Sequence, residues 1–358
     1  MHMNRKTLIA PTIAGLLIVA TLISAGCLSD DEEPFSGTVR VGWLTGDLHH
    51  LPYFVAKDTT IRTDGKSIFD KYGVKVTDAQ SGGFASGPVE MDKFKEGGID
   101  IGLLGAPPAI SKHINAAINT TVIGVVNEIG SALIVKSSIN AAQDLKGKIV
   151  LTPGQGTIQH YLLLSYLKNN NINVSDLTIE TPVAPNLMAE RLNAGSADAF
   201  IAWEPFCQDA VVKGYGKVLV YSSEMYPDHL CCVVIADTSF AKAHKENVTH
   251  YLAAHIEAVD WINAALAKPN STEYNKLVSI AVSFTGRTEA TIKAALANMK
   301  YDAKFTPAIE GFFTSFTQGL IDQGAIKLAD LQARGYSSPA DLTAKYIDDS
   351  YLKDAEKL

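Results

Sequence analysis

The chain has few cysteines and no cluster of basic residues. Only four cysteines occur in 358 residues, too few for a fold held together by disulfides. Lys and Arg number 31 against 38 Asp and Glu, so the formal net charge is -7, and no long basic run occurs. This pattern argues against nucleic acid as a partner. It does not exclude an anionic ligand, because backbone N–H groups in a buried site bind anions whatever the net charge.

Several catalytic signatures are also missing. The glycine-rich segment at residues 154–156 lacks the glycine spacing and the lysine of a Walker loop. No two histidines have the spacing of the helical HExxH metal motif, and no Ser/His/Asp or Cys/His spacing fixes a nucleophilic mechanism. We therefore expect no catalytic residues, no resident metal and no cofactor.

The long apolar run that is present lies at the N-terminus. Arg5 and Lys6 precede apolar residues 8–23, and Ser24-Ala25-Gly26 lead to Cys27. Small residues before a cysteine are typical of a lipoprotein signal, although Ser24 stands where leucine is usual. We predict a signal peptide at residues 1–26, lipidation of Cys27, and an acidic tether at residues 27–37. An uncleaved N-terminal membrane anchor is the alternative, and both place the rest of the chain outside the membrane.

The remainder of the chain alternates between strand and helix patterns. The alternation runs from residue 38 to 126 and again from 148 to 236, and helical patterns follow at 250–267, 273–282, 288–297 and 306–323. It is typical of parallel sheets with helices on their faces. A chain of this length suits two domains. We predict an α/β fold of two lobes, each a mostly parallel sheet flanked by helices.

Ligands bind open α/β sheets at the carboxyl ends of strands, which directs attention to four segments. Residues 45–50 follow the first strand, 105–109 are predicted as a tight turn before a helix, 154–160 form a glycine-rich turn into a helix, and 202–205 follow a later strand. Helix N-termini attract anionic oxygens, and an aromatic ring beside a carboxylate holds an apolar stem or a cation. The predicted ligand-binding residues are Gly46, Asp47, His49, Ser81, Gly82, Gly105, Ala106, Pro107, Gly156, Thr157, Gln159, His160, Trp203 and Glu204.

A series of short motifs resembles one family of transport proteins. In chain order the motifs are VGW at 41–43, YFVAK at 53–57, FDKYG at 69–73, GGIDIG at 97–102, GAPP at 105–108, DLKGK at 144–148, GTIQHYLL at 156–163, LNAGSAD at 192–198 and AWEP at 202–205. Each motif is loose, but the ordered set is similar to the nitrate/sulfonate/taurine-type periplasmic binding proteins, a group that includes thiamine-precursor binders.

The resemblance implies a type II periplasmic-binding-protein fold with the ligand closed into a cleft. Lobe 1 would comprise residues 38–128 and 233–358, and lobe 2 residues 129–232. The implied function is capture of a small anionic or zwitterionic solute for an ABC importer, by a monomer whose partners are the permease and ATPase subunits. The chain departs from the family in an insertion at residues 59–67, in its two prolines at 107 and 108, and in its paired histidines at 49 and 50. These departures bear on the identity of the ligand.

Two other functions remain open from the sequence. His49, His50, His160 and His229 could converge with Asp47 or Glu204 on a metal or metal complex. A third hypothesis is an enzyme similar to the thiamine pyrimidine synthases, with chemistry at His49 or His160. The cysteines at 207, 231 and 232 permit one disulfide between Cys207 and the adjacent pair, although we favour buried free thiols.

Overall fold

Two β-sheets flanked by helices organise the chain, which a computed structural model describes for residues 37–358. The predicted signal peptide and the lipidation site Cys27 lie outside the described residues, so both stay predictions. Within residues 37–358, no helix is long and apolar enough to cross a membrane.

The strands divide between a six-stranded sheet of order β11-β4-β10-β3-β1-β2 and a five-stranded sheet of order β7-β6-β8-β5-β9. Their bounds are β1 Val39–Gly42, β2 Val76–Asp78, β3 Ile101–Gly105, β4 Thr120–Glu128, β5 Ser131–Val135, β6 Ile149–Leu151, β7 Thr178–Glu180, β8 Ala199–Trp203, β9 Lys217–Tyr221, β10 Leu230–Asp237 and β11 Lys300–Tyr301.

Each sheet is mixed, whereas the sequence predicts mostly parallel sheets. Strand β1 pairs in parallel with β2 and β3, but β10 is antiparallel to β3 and β4, and β11 is antiparallel to β4. Strand β6 pairs in parallel with β7 and β8, but β5 is antiparallel to β8 and β9. Parallel neighbours need a crossover connection. Strands β4 and β5 follow one another directly but lie in different sheets, so the connection between them contains no helix.

The two sheets can be compared with the two predicted lobes. Strands β5 to β9 form one sheet, and β10 returns the chain to the other sheet at Leu230. The predicted boundaries at residues 128 and 232 stay a prediction.

Helices cover both sheets and fill the C-terminal third of the chain. Their bounds are α1 Leu51–Lys57, α2 Ile68–Lys71, α3 Gly87–Lys95, α4 Ala106–Asn115, α5 Ile158–Asn169, α6 Pro185–Asn193, α7 Phe206–Val212, α8 Ser222–Met225, α9 Thr238–Ala243, α10 Lys245–Leu266, α11 Thr272–Thr285, α12 Glu289–Leu296, α13 Pro307–Asp322, α14 Leu328–Ala333, α15 Pro339–Tyr346 and α16 Ser350–Ala355. Short 3-10 turns lie at Leu48–His50, Ala142–Leu145 and Val174–Asp176.

One predicted turn is wrong. Residues 105–108 were expected to form a tight turn, but α4 begins at Ala106 and contains both prolines in its first turn. Proline is tolerated there because the first N–H groups of a helix have no intrahelical acceptor.

The core lies on both faces of the central strands. Every residue of β3, β5 and β8 is buried, and β10 is buried from Leu230 to Ala236. Strands covered on both faces read as continuous apolar runs.

Candidate functional site

Six of the predicted binding residues meet around one small buried space, here named the inner pocket. They come from both sheets: Asp47 and His49 follow β1, Gly105 ends β3, Thr157 and Gln159 begin α5, and Trp203 ends β8. The other lining residues are Leu44, Gly87, Pro108, Ile158, Cys231 and Cys232. Its volume is about 20 Å3, which is room for one water molecule.

The other predicted residues lie elsewhere. Gly46 lines a second space of about 380 Å3, the outer pocket, and Gly156 and His160 line a third of about 150 Å3 beside α13. Ser81 and Gly82 are exposed in the loop after β2. Ala106, Pro107 and Glu204 are buried and line none of these three spaces. The ligand-binding role of the whole set stays a prediction.

The turn after β1 holds Asp47, His49 and His50 in fixed orientations. The Asp47 carboxylate accepts a hydrogen bond from the backbone N–H of His49 at 2.9 Å and thereby caps the 3-10 turn. His50 Nδ1 accepts the Leu44 N–H at 2.9 Å, so its proton is on Nε2. His49 Nε2 lies 3.0 Å from the Gly130 carbonyl oxygen and donates to it. His49 Nδ1 is therefore the ring atom that faces the pocket.

Burial and mutual charge shift the pKa values in this turn in opposite directions. Burial raises the pKa of Asp47 to about 7, against the charge of His49. Burial alone would lower the pKa of His49, but Asp47 and Cys231 raise it to about 10. Burial and the neighbouring His49 charge hold the pKa of His50 well below its usual range. The cluster thus stabilises a positive group at His49 Nδ1.

Two cysteines that the sequence analysis did not assign to the site lie beside the His49 ring. Cys231 Sγ and Cys232 Sγ each lie 3.6 Å from His49 Nδ1 and 3.7 Å from one another. Cys207, Cys231 and Cys232 are free and buried, which confirms the expectation of buried thiols. Burial opposes ionisation, but Cys232 and His49 together hold the pKa of the Cys231 thiol well below its usual range.

A β-bulge explains why adjacent cysteines meet. Successive strand residues normally point to opposite faces of a sheet. The register of β10 against β4 shifts between Leu230 and Cys232 and again between Cys232 and Val233. A bulge re-aims side chains locally. No sequence signal besides the Cys-Cys pair itself indicated it.

The start of α5 supplies backbone donors from the five-stranded sheet's side. Thr157 is the N-cap, and its hydroxyl accepts the His160 N–H at 3.3 Å, as its sequence position predicted. Ile158 and Gln159 occupy the first two helical positions, whose N–H groups have no intrahelical partner. The Gln159 amide donates to Ser131 Oγ at 3.0 Å, which fixes that side chain at the pocket wall.

Trp203 adds a donor without a partner. Its side chain is buried, and Nε1 has no hydrogen-bond acceptor among residues 37–358. A buried N–H that lacks an acceptor costs free energy unless a ligand or water supplies one. Glu204, the next residue, faces elsewhere: its carboxylate accepts from the Gln208 N–H and the Asn298 amide, both at 3.1 Å. Burial raises the pKa of Glu204 to about 7.

The outer pocket contains an arginine that the sequence did not indicate. Arg287 is the one charged residue among those lining this space, and its Nη1 donates to Asp209 at 3.0 Å. Its guanidinium carbon lies 5.0 Å from the ring centroid of Phe206, and its buried Nε has no hydrogen-bond partner among the described residues. Nε is thus a buried donor without a protein acceptor, beside the hydrogen bond that Nη1 makes.

The outer and inner pockets are neighbours. Gly46 lines the outer pocket and Asp47 the inner one, and the two are consecutive. Phe206 lines the outer pocket and packs edge to face on Trp203 of the inner pocket, with ring centroids 6.0 Å apart. The two pockets are therefore separated by Gly46-Asp47 and by the packed rings of Trp203 and Phe206.

The predicted convergence of four histidines does not occur. Among the described residues, potential metal ligands group as His49 with Cys231 and Cys232, and as Asp47 with His50 and Cys232. His160 and His229 belong to neither group. His160 Nδ1 lies 3.3 Å from Thr152 Oγ1, and His229 Nδ1 lies 3.0 Å from the Leu230 carbonyl oxygen.

Comparisons with known proteins give a consistent family and fold. The model of the NMT1-like family matches residues 34–279. A Bacillus subtilis (strain 168) protein, named for binding aliphatic sulfonates, is 27% identical over 256 residues, covering 69% of this chain and 72% of that protein.

Two solved structures share the fold. The periplasmic nitrate-binding protein NrtA from Synechocystis PCC 6803 superimposes with a TM-score of 0.72 and 16% identity, covering 90% of this chain and 89% of that chain. The desulfurization enzyme DSZB superimposes with a TM-score of 0.62 and 13% identity, covering 90% of this chain and 99% of that chain. At these identities the similarity shows the type II periplasmic-binding-protein fold, which can hold a binding site or an active site.

Proposed function

Because this chain belongs to the NMT1-like family, we propose that it is the solute-binding protein of an ABC importer. The solute is a small anion or zwitterion of the organosulfonate, taurine or nitrate kind, and the chain delivers it to a membrane permease. The observation that carries this proposal is the convergence of strand ends and helix starts from both sheets on the inner pocket. Binding at such a junction is the general behaviour of α/β folds.

The polarity of the two pockets favours an anionic head group. The inner pocket offers the first N–H groups of α5, the unpartnered Trp203 Nε1–H and the positive His49 ring. The outer pocket offers the free part of the Arg287 guanidinium. Donors aimed into a desolvated space stabilise negative charge more than they would in water. The net charge of -7 therefore does not oppose anion capture.

The sizes of the pockets imply motion between the lobes. The outer pocket, about 380 Å3, lies in the range of small-molecule sites, whereas the inner pocket, about 20 Å3, holds only a water. We propose that the lobes separate to admit the head group and close again over it. Closure would exclude water and strengthen the few polar contacts.

The membrane partners form part of the same proposal. A lipid anchor at Cys27 would hold the monomeric protein at the outer face of the membrane, beside the permease and ATPase subunits. The alternative is an uncleaved N-terminal helix. We propose binding without chemical conversion of the solute, in line with the relative named for sulfonate binding.

The Trp203 donor provides a test. In Trp203→Phe an aromatic ring remains but the indole N–H is lost, so affinity for ethanesulfonate should fall about 10- to 100-fold, because a hydrogen bond to a charged group contributes about 1.5–3 kcal/mol. Isothermal titration calorimetry measures the change. Thermal stability without ligand should fall only by the cost of the removed ring volume, since Nε1 has no partner to lose in the described protein.

Trp43→Phe is the matched control, because Trp43 is also buried and lines neither pocket. It should bind ethanesulfonate as the wild type does. Equal affinities for wild type and Trp203→Phe would contradict a solute head group at the inner pocket.

A further inference from the structure

We propose that His49, Cys231 and Cys232 form a thiolate–imidazole binding site for Zn2+ at the base of the inner pocket. The sequence expectation of no resident metal would then be wrong. The inference concerns a different ligand from the captured solute, although His49 lines the inner pocket in both proposals.

The distances between the three ligand atoms match those of a zinc site. Tetrahedral zinc with Zn–S of about 2.3 Å and Zn–N of about 2.0–2.1 Å places two sulfurs about 3.8 Å apart, and a sulfur and a nitrogen about 3.6 Å apart. The two Sγ atoms lie 3.7 Å apart, and each is 3.6 Å from His49 Nδ1. Three corners of a coordination tetrahedron are thus already set.

The orientation of His49 also suits a metal ligand. Metal-binding histidines usually donate their second ring N–H to a carbonyl or carboxylate, which fixes the ring and the tautomer. His49 Nε2 lies 3.0 Å from the Gly130 carbonyl oxygen, and Nδ1 is directed at the two thiols. The Asp47 carboxylate lies 3.2 Å from Nδ1 but groups with His50 and Cys232 instead, so the fourth position is left to a solvent molecule.

The backbone of β10 departs from regular strand geometry where the two cysteines lie. The β-bulge in β10 turns Cys231 and Cys232 toward the same ring, although strand residues alternate by default. Cys207, the third thiol among the described residues, lies instead against the carbonyl oxygens of Ala132 and Ala202 at 3.6 and 3.2 Å. Of the three cysteines among the described residues, the two in the bulge are therefore those that face the His49 ring.

Charge balance explains why a divalent ion suits this place. His49, Cys231 and Cys232 are all nearly inaccessible to solvent. An isolated charge in such a place is costly, whereas Zn2+ with two thiolates and a neutral imidazole has no net charge. Soft thiolate ligands select zinc over magnesium or calcium.

The test is a zinc titration of the full chain, kept reduced with a phosphine and stripped by a chelator. Wild type should bind one Zn2+ in competition with a chromophoric chelator. Co2+ substituted in its place should show thiolate-to-cobalt charge transfer and tetrahedral d–d bands. Cys231→Ser and Cys232→Ser should each weaken binding by more than the about 100-fold that losing an outer-shell contact produces.

Cys207→Ser is the matched control, since it removes an equally buried thiol outside the cluster. It should keep wild-type affinity. Three results would each overturn the proposal. Cys207→Ser could lose zinc as fully as Cys231→Ser does, reduced wild type could bind no zinc, or the cobalt spectrum could lack thiolate charge transfer. Should a serine variant fail to fold by circular dichroism, the cobalt spectrum of wild type decides. Zinc binding does not depend on the ethanesulfonate result, so the two proposals fail separately.

Discussion

Replacing Arg287 by glutamine is expected to weaken ethanesulfonate binding about 10- to 100-fold. A hydrogen bond between charged groups contributes about 1.5–3 kcal/mol, and about 1.4 kcal/mol corresponds to a tenfold change in affinity. Arg287 is the one charged residue among those lining the outer pocket, and its Nε has no partner within the described chain. Isothermal titration calorimetry would measure the change directly.

The same substitution should have little effect on stability. Asp209 keeps a second cation after Arg287 is removed, because Lys213 Nζ lies 3.0 Å from its carboxylate. Arg287→Lys should recover part of the affinity, since lysine retains the charge but lacks the planar fork.

Arg191→Gln is the matched control for this experiment. Arg191 pairs with Glu180 at 2.7 Å, is about as exposed as Arg287, and does not line the outer or inner pocket. It should bind ethanesulfonate normally. Normal affinity in Arg287→Gln would contradict an anion site in the outer pocket.

Replacing Gly130 by alanine should destabilise the protein by about 3 kcal/mol or more. The backbone at Gly130 has φ of +90°, where a residue with a Cβ is strained by about 1–3 kcal/mol. The added Cβ would lie 2.4 Å from His49 Nε2 and 2.9 Å from Met299 Sδ. Relief of that overlap would displace His49 from the pocket, at a further cost of about 1–3 kcal/mol. Chemical denaturation gives the free energy of unfolding.

Gly195→Ala separates the two contributions. Gly195 has φ of +77°, but an added Cβ there meets no heavy atom within 4 Å. Only the backbone strain should appear, at about 1–2 kcal/mol. Equal losses for the two variants would mean that His49 is not held against Gly130.

The regular elements were predictable from local pattern. The turn into a helix predicted at residues 154–160 is confirmed, since α5 spans Ile158–Asn169, and the hydroxyl of Thr157 before an apolar run is a strong start signal. Strand β5 was missed, since the four apolar residues that follow Ser131 carry no alternation. The proline pair that suggested a turn stands instead in the first turn of α4.

The site was only partly predictable. The rule that ligands bind at the carboxyl ends of strands predicted Asp47, His49 and Trp203 together, and all three line the inner pocket. Cys231 and Cys232 were not assigned to the site, since a bulge in register depends on the pairing partner and leaves no mark in the strand itself. Arg287 follows a helix end at Gly286 and reaches the outer pocket through tertiary packing alone. Ser81 and Gly82, also predicted to bind the ligand, lie exposed in the loop after β2, and their role stays a prediction.

Ligand-induced stabilisation of the wild-type chain tests solute capture most directly. Taurine, ethanesulfonate, nitrate and ethylamine would be added separately, and the free energy of unfolding measured with each. An anion at about 100 times its dissociation constant should add roughly 2.7 kcal/mol, and ethylamine should add nothing. Stabilisation by at least one of the three anionic or zwitterionic solutes is the predicted result. Stabilisation by ethylamine alone, or by none of the four, would contradict an anion-capturing cleft.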